Sequence, residues 1–387
     1  MRCSLLCLAI PSALGAISVF SPSDWDTVAL TVEHGGESLP RGLAPGETPV
    51  SPRAASSGNA SLPAGFSLVA EFAPMAGVLI RYPLGIPASL VALFATDVHV
   101  YCLCEAVLQP AAAATFAAAG VPAANMTLLD VPTDSYWTRD FGPWWQRDAA
   151  TGALGVVDFE YNRPRARDDA ATAALAALWG LPYAEGPGLV LTGGNEMNLG
   201  DGTEGCTTLM FEENAAVGAA RVRKLFARAF GAPSLLALAD PTGNYIEHAD
   251  CFMKFVASDA ILIDKTPPNA DDHDALEAAA RWWANQTAAD GAPIRVARVD
   301  VGGDVDDGPA AYSNSLILNQ RVFVPLAADG VKHADLDARA LQAYQDALGP
   351  RYDIIGVVGD PKHPWAATDA LHCRTRGVPV GIPPLGA

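Results

Sequence analysis

The chain has 387 residues, half of them hydrophobic, with 43 Asp and Glu against 25 Lys and Arg and a formal net charge of -18. Such a chain buries a sizeable core rather than staying disordered. Its acidity argues against a nucleic-acid or anionic-membrane partner, which the surface would repel, and favours a cationic ligand.

Residues 1–20 carry Arg2, an apolar run over 5–10 and small residues at Ser12, Ala13, Gly15 and Ala16. A charged start, a short apolar stretch and a small-residue cleavage site describe a secretory signal peptide, too short to span a bilayer. Secretion, or passage through the secretory pathway, is therefore expected, with an organelle-targeting prefix as the alternative. Cys3 and Cys7 would leave with the leader, and Cys102, Cys104, Cys206, Cys251 and Cys373 would remain. An odd number in an oxidising compartment leaves at least one free thiol. Residues 21–63, rich in Ser, Pro and Gly, read as a linker or loosely draped arm. Residues 64–387 read as one folded domain with no membrane span.

Strand-like runs at 66–70 and 77–82, a helix over 88–94 and a strand at 97–103 open that domain, followed by a helix over 111–119 and a strand at 126–129. Strands at 155–161 and 189–192 bracket an alanine-rich helix at 170–179, and strands near 207 and 235 bracket a helix at 215–230. The pairs 251–256 with 260–264 and 316–319 with 321–325 each precede a helix (270–285, 336–348) and a closing strand (294–299, 352–358). The count is about five strand-strand-helix-strand units, which predicts an α/β, closed and radially repeated architecture with a central site. A doubly wound open sheet would require a glycine-rich phosphate turn, and none is evident.

Several polar segments sit at the edges of these units. Trp137, Arg139 and Asp140 precede a Gly142-Pro143 turn, and Gly193-Gly194-Asn195 follows a strand directly, where glycines let backbone approach closely. His248 and Asp250 precede an apolar strand and share its parity, which suits a general acid/base beside a carboxylate. As a metal site, one His-x-Asp lacks the further ligands zinc takes. Asn314 precedes another apolar strand, and Cys373 lies between His372 and Arg374, with Arg376 near; these cations would favour a thiolate if they turned toward the sulfur. If the units close into a ring, Asp140, His248, Asp250, Asn314 and Cys373 converge on one pocket.

In this order, Trp137-x-Arg139-Asp140-x-Gly142-Pro143, Gly193-Gly194-Asn195, His248-x-Asp250, Tyr312-x-Asn314 and His372-Cys373-x-Thr375 resemble the agmatine deiminases and bacterial-type peptidylarginine deiminases. The resemblance runs from about residue 71 to 379 and makes residues 64–387 the catalytic domain. It implies a five-bladed, pseudo-fivefold α/β propeller, no cofactor and no metal. It also implies hydrolytic deimination of a guanidino group, with Cys373 as nucleophile, Asp140 and Asp250 holding the guanidinium, His248 as acid and base, and Asn314 as a positioning group. Residues 159–165 resemble the segment that, in the bacterial peptidylarginine deiminases, binds the α-carboxylate of a C-terminal arginine, which assigns that role to Arg163 and Arg165. An arginine fork suits a carboxylate, and agmatine has none. Arginine or a C-terminal peptidyl arginine is therefore the expected substrate, with agmatine as the alternative and a catalytically silent arginine or polyamine binder as the alternative of another class. Two departures from the family pattern stand out: residues 368–371 lack a glycine-rich turn, and Asp369 would oppose a nearby thiolate.

Overall fold

A computed structural model of the chain describes residues 15–29, 32–34, 37–53, 60–303, 310–327, 333–362 and 365–382. Most of the expected leader, residues 1–14, lies outside the described residues.

Five small mixed sheets carry the fold, and their chain order repeats one grammar. In the second sheet Trp144–Asp148 pairs antiparallel with Leu154–Val157, helix Ala166–Trp179 crosses over, and Tyr183–Ala184 returns parallel, with Phe66–Leu68 on the outer edge. The third pairs Met197–Asn198 antiparallel with Thr203–Thr207, then crosses through helix Ala219–Phe230 to a parallel Ser234–Leu238. Met253–Ala257, Ala260–Lys265, helix His273–Ala284 and Arg295–Asp300 repeat the pattern in the fourth sheet. Leu316–Leu318, Arg321–Leu326, helix Ala334–Leu348 and Asp353–Val358 repeat it in the fifth. The first sheet takes its antiparallel member from the far end of the chain. There Arg376–Pro379 pairs with Met75–Arg81, which is parallel to His99–Leu103 and then Met126–Leu129.

The elements follow from the residue pattern. Ala260–Lys265 is apolar on both faces because helix and neighbouring sheet cover both, as in parallel units generally. Helix Ala334–Leu348 buries Leu336, Ala340, Leu341 and Tyr344, a single stripe at helical spacing. Four apolar clusters join the sheets in series: one packs the first, second and third together, and the others pack third on fourth, fourth on fifth and fifth on first. The strand ladders themselves stay separate, and no continuous closed sheet joins them among the described residues. No helix there is long and apolar enough to cross a membrane.

Two N-terminal stretches make contacts with the domain. Residues 17–20, inside the stretch assigned to the leader, form strand Ile17–Phe20 at the edge of the fifth sheet, parallel to residues 354–357. The 21–63 segment, read as a linker or loosely draped arm, touches the domain at a few described points. Trp25 and Val28 are buried in the cluster between first and fifth sheets, Trp25 lies edge-on to Trp365, and the Asp24 carboxylate accepts from the Ser89 backbone N–H at the start of helix Ala88–Phe94. Composition rich in Ser and Pro hid these anchors because two apolar side chains suffice to pin an extended segment.

Candidate active site

The loop carrying Cys373 is organised by Asn314. Its side-chain oxygen accepts from the backbone N–H groups of Ala370 (3.1 Å), His372 (3.1 Å) and Cys373 (3.3 Å), while its Nδ2 donates to the Cys373 sulfur at 3.1 Å and to the Asp250 carbonyl at 3.2 Å. One buried amide thus supplies the turn that a glycine-rich sequence would otherwise supply. The Cys373 thiol donates to Asp250 Oδ2 at 3.4 Å. Asp369, four residues before the sulfur, forms a bidentate pair with Arg374, both contacts 2.8 Å, so its charge is largely offset.

His248 and Asp250 converge by a route other than strand parity. Residues 249–251 form a single 3-10 turn, and Glu247 adopts φ 52°, a conformation uncommon outside glycine, which swings His248 inward. His248 Nδ1 lies 3.9 Å from Asp140 Oδ1 and 4.0 Å from Asp250 Oδ1, and neither ring nitrogen has a hydrogen-bond partner although the residue is buried. A buried imidazole left open in this way is available to a substrate or water. Asp140 stands on the short helix Thr138–Phe141 and accepts from the Gly194 N–H at 3.1 Å. A Cβ on Gly194 would lie 2.7 Å from Asp140 Oδ1, 2.7 Å from His248 Nδ1 and 3.1 Å from Asp250 Oδ2. The glycine therefore leaves open the space between the three groups.

Burial, then the neighbouring charge of Asp250, pushes the Asp140 carboxyl up to about 8, with Arg163 pulling the other way. Burial lowers the His248 imidazole to about 4, so the ring is neutral near pH 7. Burial alone would raise Asp250, but its hydrogen bond and charge interaction with His372 hold it below the ordinary carboxylate value. The Cys373 thiol is raised well above its usual value by burial and then by Asp250, Asp140 and Asp369. His372, Arg374 and Arg376 do not turn toward the sulfur to counter this. His372 faces Asp250 and Glu71, Arg374 is committed to Asp369, and Arg376 Nη1 donates to the Arg139 carbonyl at 3.0 Å. All five described cysteines are free and buried.

The remaining residues singled out by sequence surround this centre in different roles. Trp137 packs with Tyr136 and Cys373, with the Arg165 guanidinium 4.8 Å over its ring. Asn195 Oδ1 accepts from the N–H groups of Thr207 and Ala249, so it holds the loop carrying His248 and Asp250. Arg139 points to the opposite side, pairing with Glu71 at 3.0 Å. Arg163 and Arg165 are both buried, and Arg165 Nε and Nη1 have no partner.

A family model described as the Porphyromonas-type peptidyl-arginine deiminase matches residues 68–379. The chain belongs to that family. Members of this deiminase family are hydrolases acting on guanidino carbon–nitrogen bonds. A protein of Vibrio parahaemolyticus provisionally named an agmatine deiminase is 24% identical over 298 residues, 66% of this chain and 78% of its own. Among solved structures, a provisionally named arginine deiminase from Porphyromonas gingivalis superposes with TM-score 0.69 at 23% identity, covering 82% of this chain and 99% of that one. Agmatine deiminase of Enterococcus faecalis gives 0.69 at 19% identity, covering 84% and 99%. At these identities the superpositions establish the mixed α/β fold.

Sequence reading of this deiminase missed a buried ion network behind Cys373. Glu71 meets His372 Nε2 at 2.6 Å, Lys254 at 2.8 Å and Arg139 at 3.0 Å, and His372 Nδ1 meets Asp250 at 2.8 Å. Carboxylates at both ring nitrogens require two N–H donors or a protonated carboxyl, although burial, with Arg139 and Lys254, lowers the His372 pKa. Burial opposes ionised Glu71, but Lys254, Arg139 and His372 together hold it well below its usual value. The legible signal was Lys254 in the middle of the apolar strand Met253–Ala257, since lysine is almost never buried unpaired.

Proposed function

We infer that this deiminase hydrolyses the guanidino group of arginine bearing a free α-carboxylate, either as the amino acid or at a peptide C-terminus, to a ureido group and ammonia. The observation that carries the substrate reading is the buried Arg165 fork, with two unpartnered nitrogens beside Arg163, whose charge acts on Asp140. A carboxylate matches such a fork. Agmatine is the second reading, favoured by the names of the Vibrio and Enterococcus relatives.

The guanidinium would sit between Asp140 and Asp250, over Gly194, with its central carbon toward Cys373. Its positive charge offsets the carboxylates that hold the thiol protonated, so nucleophile formation is tied to substrate arrival. The sulfur–carbon bond forms and one carbon–nitrogen bond breaks, while the thiol proton passes through neutral His248 to the departing nitrogen as ammonia. Water then adds to the thiouronium carbon and loses a proton to His248; the carbon–sulfur bond breaks and the thiol is restored. No added cofactor or metal enters this scheme, and the histidine and carboxylates are spent on the guanidinium.

The serial packing of the five sheets supports a five-bladed ring with this centre on its axis, closed by strand Arg376–Pro379. For the N-terminus, a leader cut after Ala16 would export the protein and keep strand Ile17–Phe20, whereas a cut after Phe20 would remove it. The test compares agmatine, arginine, an internal-arginine peptide and a C-terminal-arginine peptide. Arg165→Ala should raise KM for the last about tenfold without raising it for agmatine; a preference for agmatine that neither Arg163→Ala nor Arg165→Ala weakens would select the second reading.

A further inference from the structure

Residues 39–42 lie against Cys373 and the Arg163–Arg165 pair. Leu39 packs on Tyr136, Trp137 and Cys373. Arg163 Nε donates to the Arg41 carbonyl at 3.3 Å, and Arg165 Nη2 donates to the Gly42 carbonyl at 3.2 Å and to the Pro40 carbonyl. The Arg41 guanidinium goes to Thr368 Oγ1 (3.1 Å) and Asp369 (3.3 Å), at the rim of the nucleophile loop. With this strap in place Cys373 and His248 are each 2% exposed.

We propose that residues 39–42 are the resident occupant of a polypeptide-binding groove over the active site, and that a substrate chain binds by displacing them. The proposal rests on the deiminase reading and extends it from the guanidinium to the backbone around it. Three consecutive carbonyls of the strap accept from the arginine pair, so the groove is already matched to the backbone of an extended chain. Neutral carbonyls are weak partners for two guanidinium groups, and Arg165 keeps Nε and Nη1 buried and unpartnered beneath them. An incoming α-carboxylate forms charge-assisted bonds to the same fork and outcompetes them. Arg41 is held by Asp369 and Thr368 rather than between Asp140 and Asp250, so the strap blocks the centre without being turned over. On its outer side Arg41 walls a cavity of about 880 Å³ shared with Asp240, Asp271 and Thr368, an acidic approach for a basic peptide. Trp25 and Val28 on one side of the strap, and Arg53 paired with Glu160 at 2.7 Å on the other, keep it close after it lifts. Tethering of that kind holds a weak occupant at high effective concentration.

An occupied groove lowers apparent affinity by the fraction of molecules that are open. The experiment is a Leu39→Ala/Arg41→Ala double variant of the full chain, assayed on a C-terminal-arginine peptide. Its direct binding of that peptide is also measured by calorimetry in the Cys373→Ala background. KM and Kd should both fall about tenfold, kcat should stay unchanged, and an added peptide of residues 37–44 should compete with substrate for the double variant. Affinity that is unchanged or weaker overturns the proposal, because the strap would then be inert or would complete the site. Arg41→Ala alone, whose side chain is 37% exposed, replaces the double variant if that one melts early. Tighter binding by the variant without turnover of any guanidino substrate would uphold the groove and reject the deiminase reading; ammonia release with unchanged affinity would do the reverse.

Discussion

Gly194 shows how little space the site leaves for error. A single methyl there would press within 2.7 Å of both Asp140 and His248. Gly194→Ala should cut kcat/KM at least about a hundredfold, since misplacement on the ångström scale costs that much, with the variant still folded by circular dichroism; activity near wild type would place the guanidinium elsewhere. Asp140, pushed up to about 8, must ionise to hold a cation, so binding to the Cys373→Ala chain should release a proton near pH 7 and weaken as pH falls. Calorimetry in buffers of different ionisation enthalpy reads that proton. The candidate set drew notice because Cys, His and Asp at strand edges are costly to place without a purpose. Glu71 was not legible, because its partner His372 stands 301 residues away and neither residue has a local pattern. Glu71→Gln would leave Lys254 and Arg139 buried with less counter-charge and should destabilise the fold by about 3–5 kcal/mol in urea unfolding.

At the scale of elements, the repeat of hairpin, helix and parallel strand was readable from apolar periodicity. Helix 88–94 and strand 126–129 fall where the pattern placed them. The strands that went unseen are those with weak periodicity: Trp144–Asp148, which ends in charged residues, and Arg376–Pro379, which begins with arginine and ends in proline. Each is defined by a partner distant in sequence, Leu154–Val157 excepted. The anchors of the N-terminal arm were not legible for the same reason, since its hold is a few apolar contacts in an otherwise loop-like composition. If Trp25 anchors it as described, Trp25→Ala should cost about 3 kcal/mol in denaturant unfolding; a loss below about 0.5 kcal/mol would return the arm to a linker.

The whole molecule carries an excess of buried acid. Burial is the leading cause that raises Asp158 and Glu213 to about 7, Asp168 to about 6 and Asp140 to about 8, and it also raises Glu196 and Glu204 well above their usual value. A carboxyl raised in the folded state keeps its proton after the unfolded chain has lost it, so the folded state binds more protons between about pH 4 and 8 and stability falls as pH rises through that window. The net charge of -18 at pH 7 acts in the same direction. The melting temperature should therefore be higher at pH 5 than at pH 8, and a rise toward pH 8 would mean these groups are solvated. Below about pH 4, protonation of Glu71, whose folded pKa is depressed, removes stability again.

The central claim is that Cys373 attacks a guanidinium carbon held between Asp140 and Asp250, and acid-quenched mass spectrometry of the full-length protein during turnover of a C-terminal-arginine peptide tests it most directly. A thiouronium adduct on Cys373, with one ammonia released per ureido product and neither seen in Cys373→Ala, is the predicted result. Folded protein that releases no ammonia from that peptide, from arginine or from agmatine, or an acyl adduct on Cys373, would contradict it.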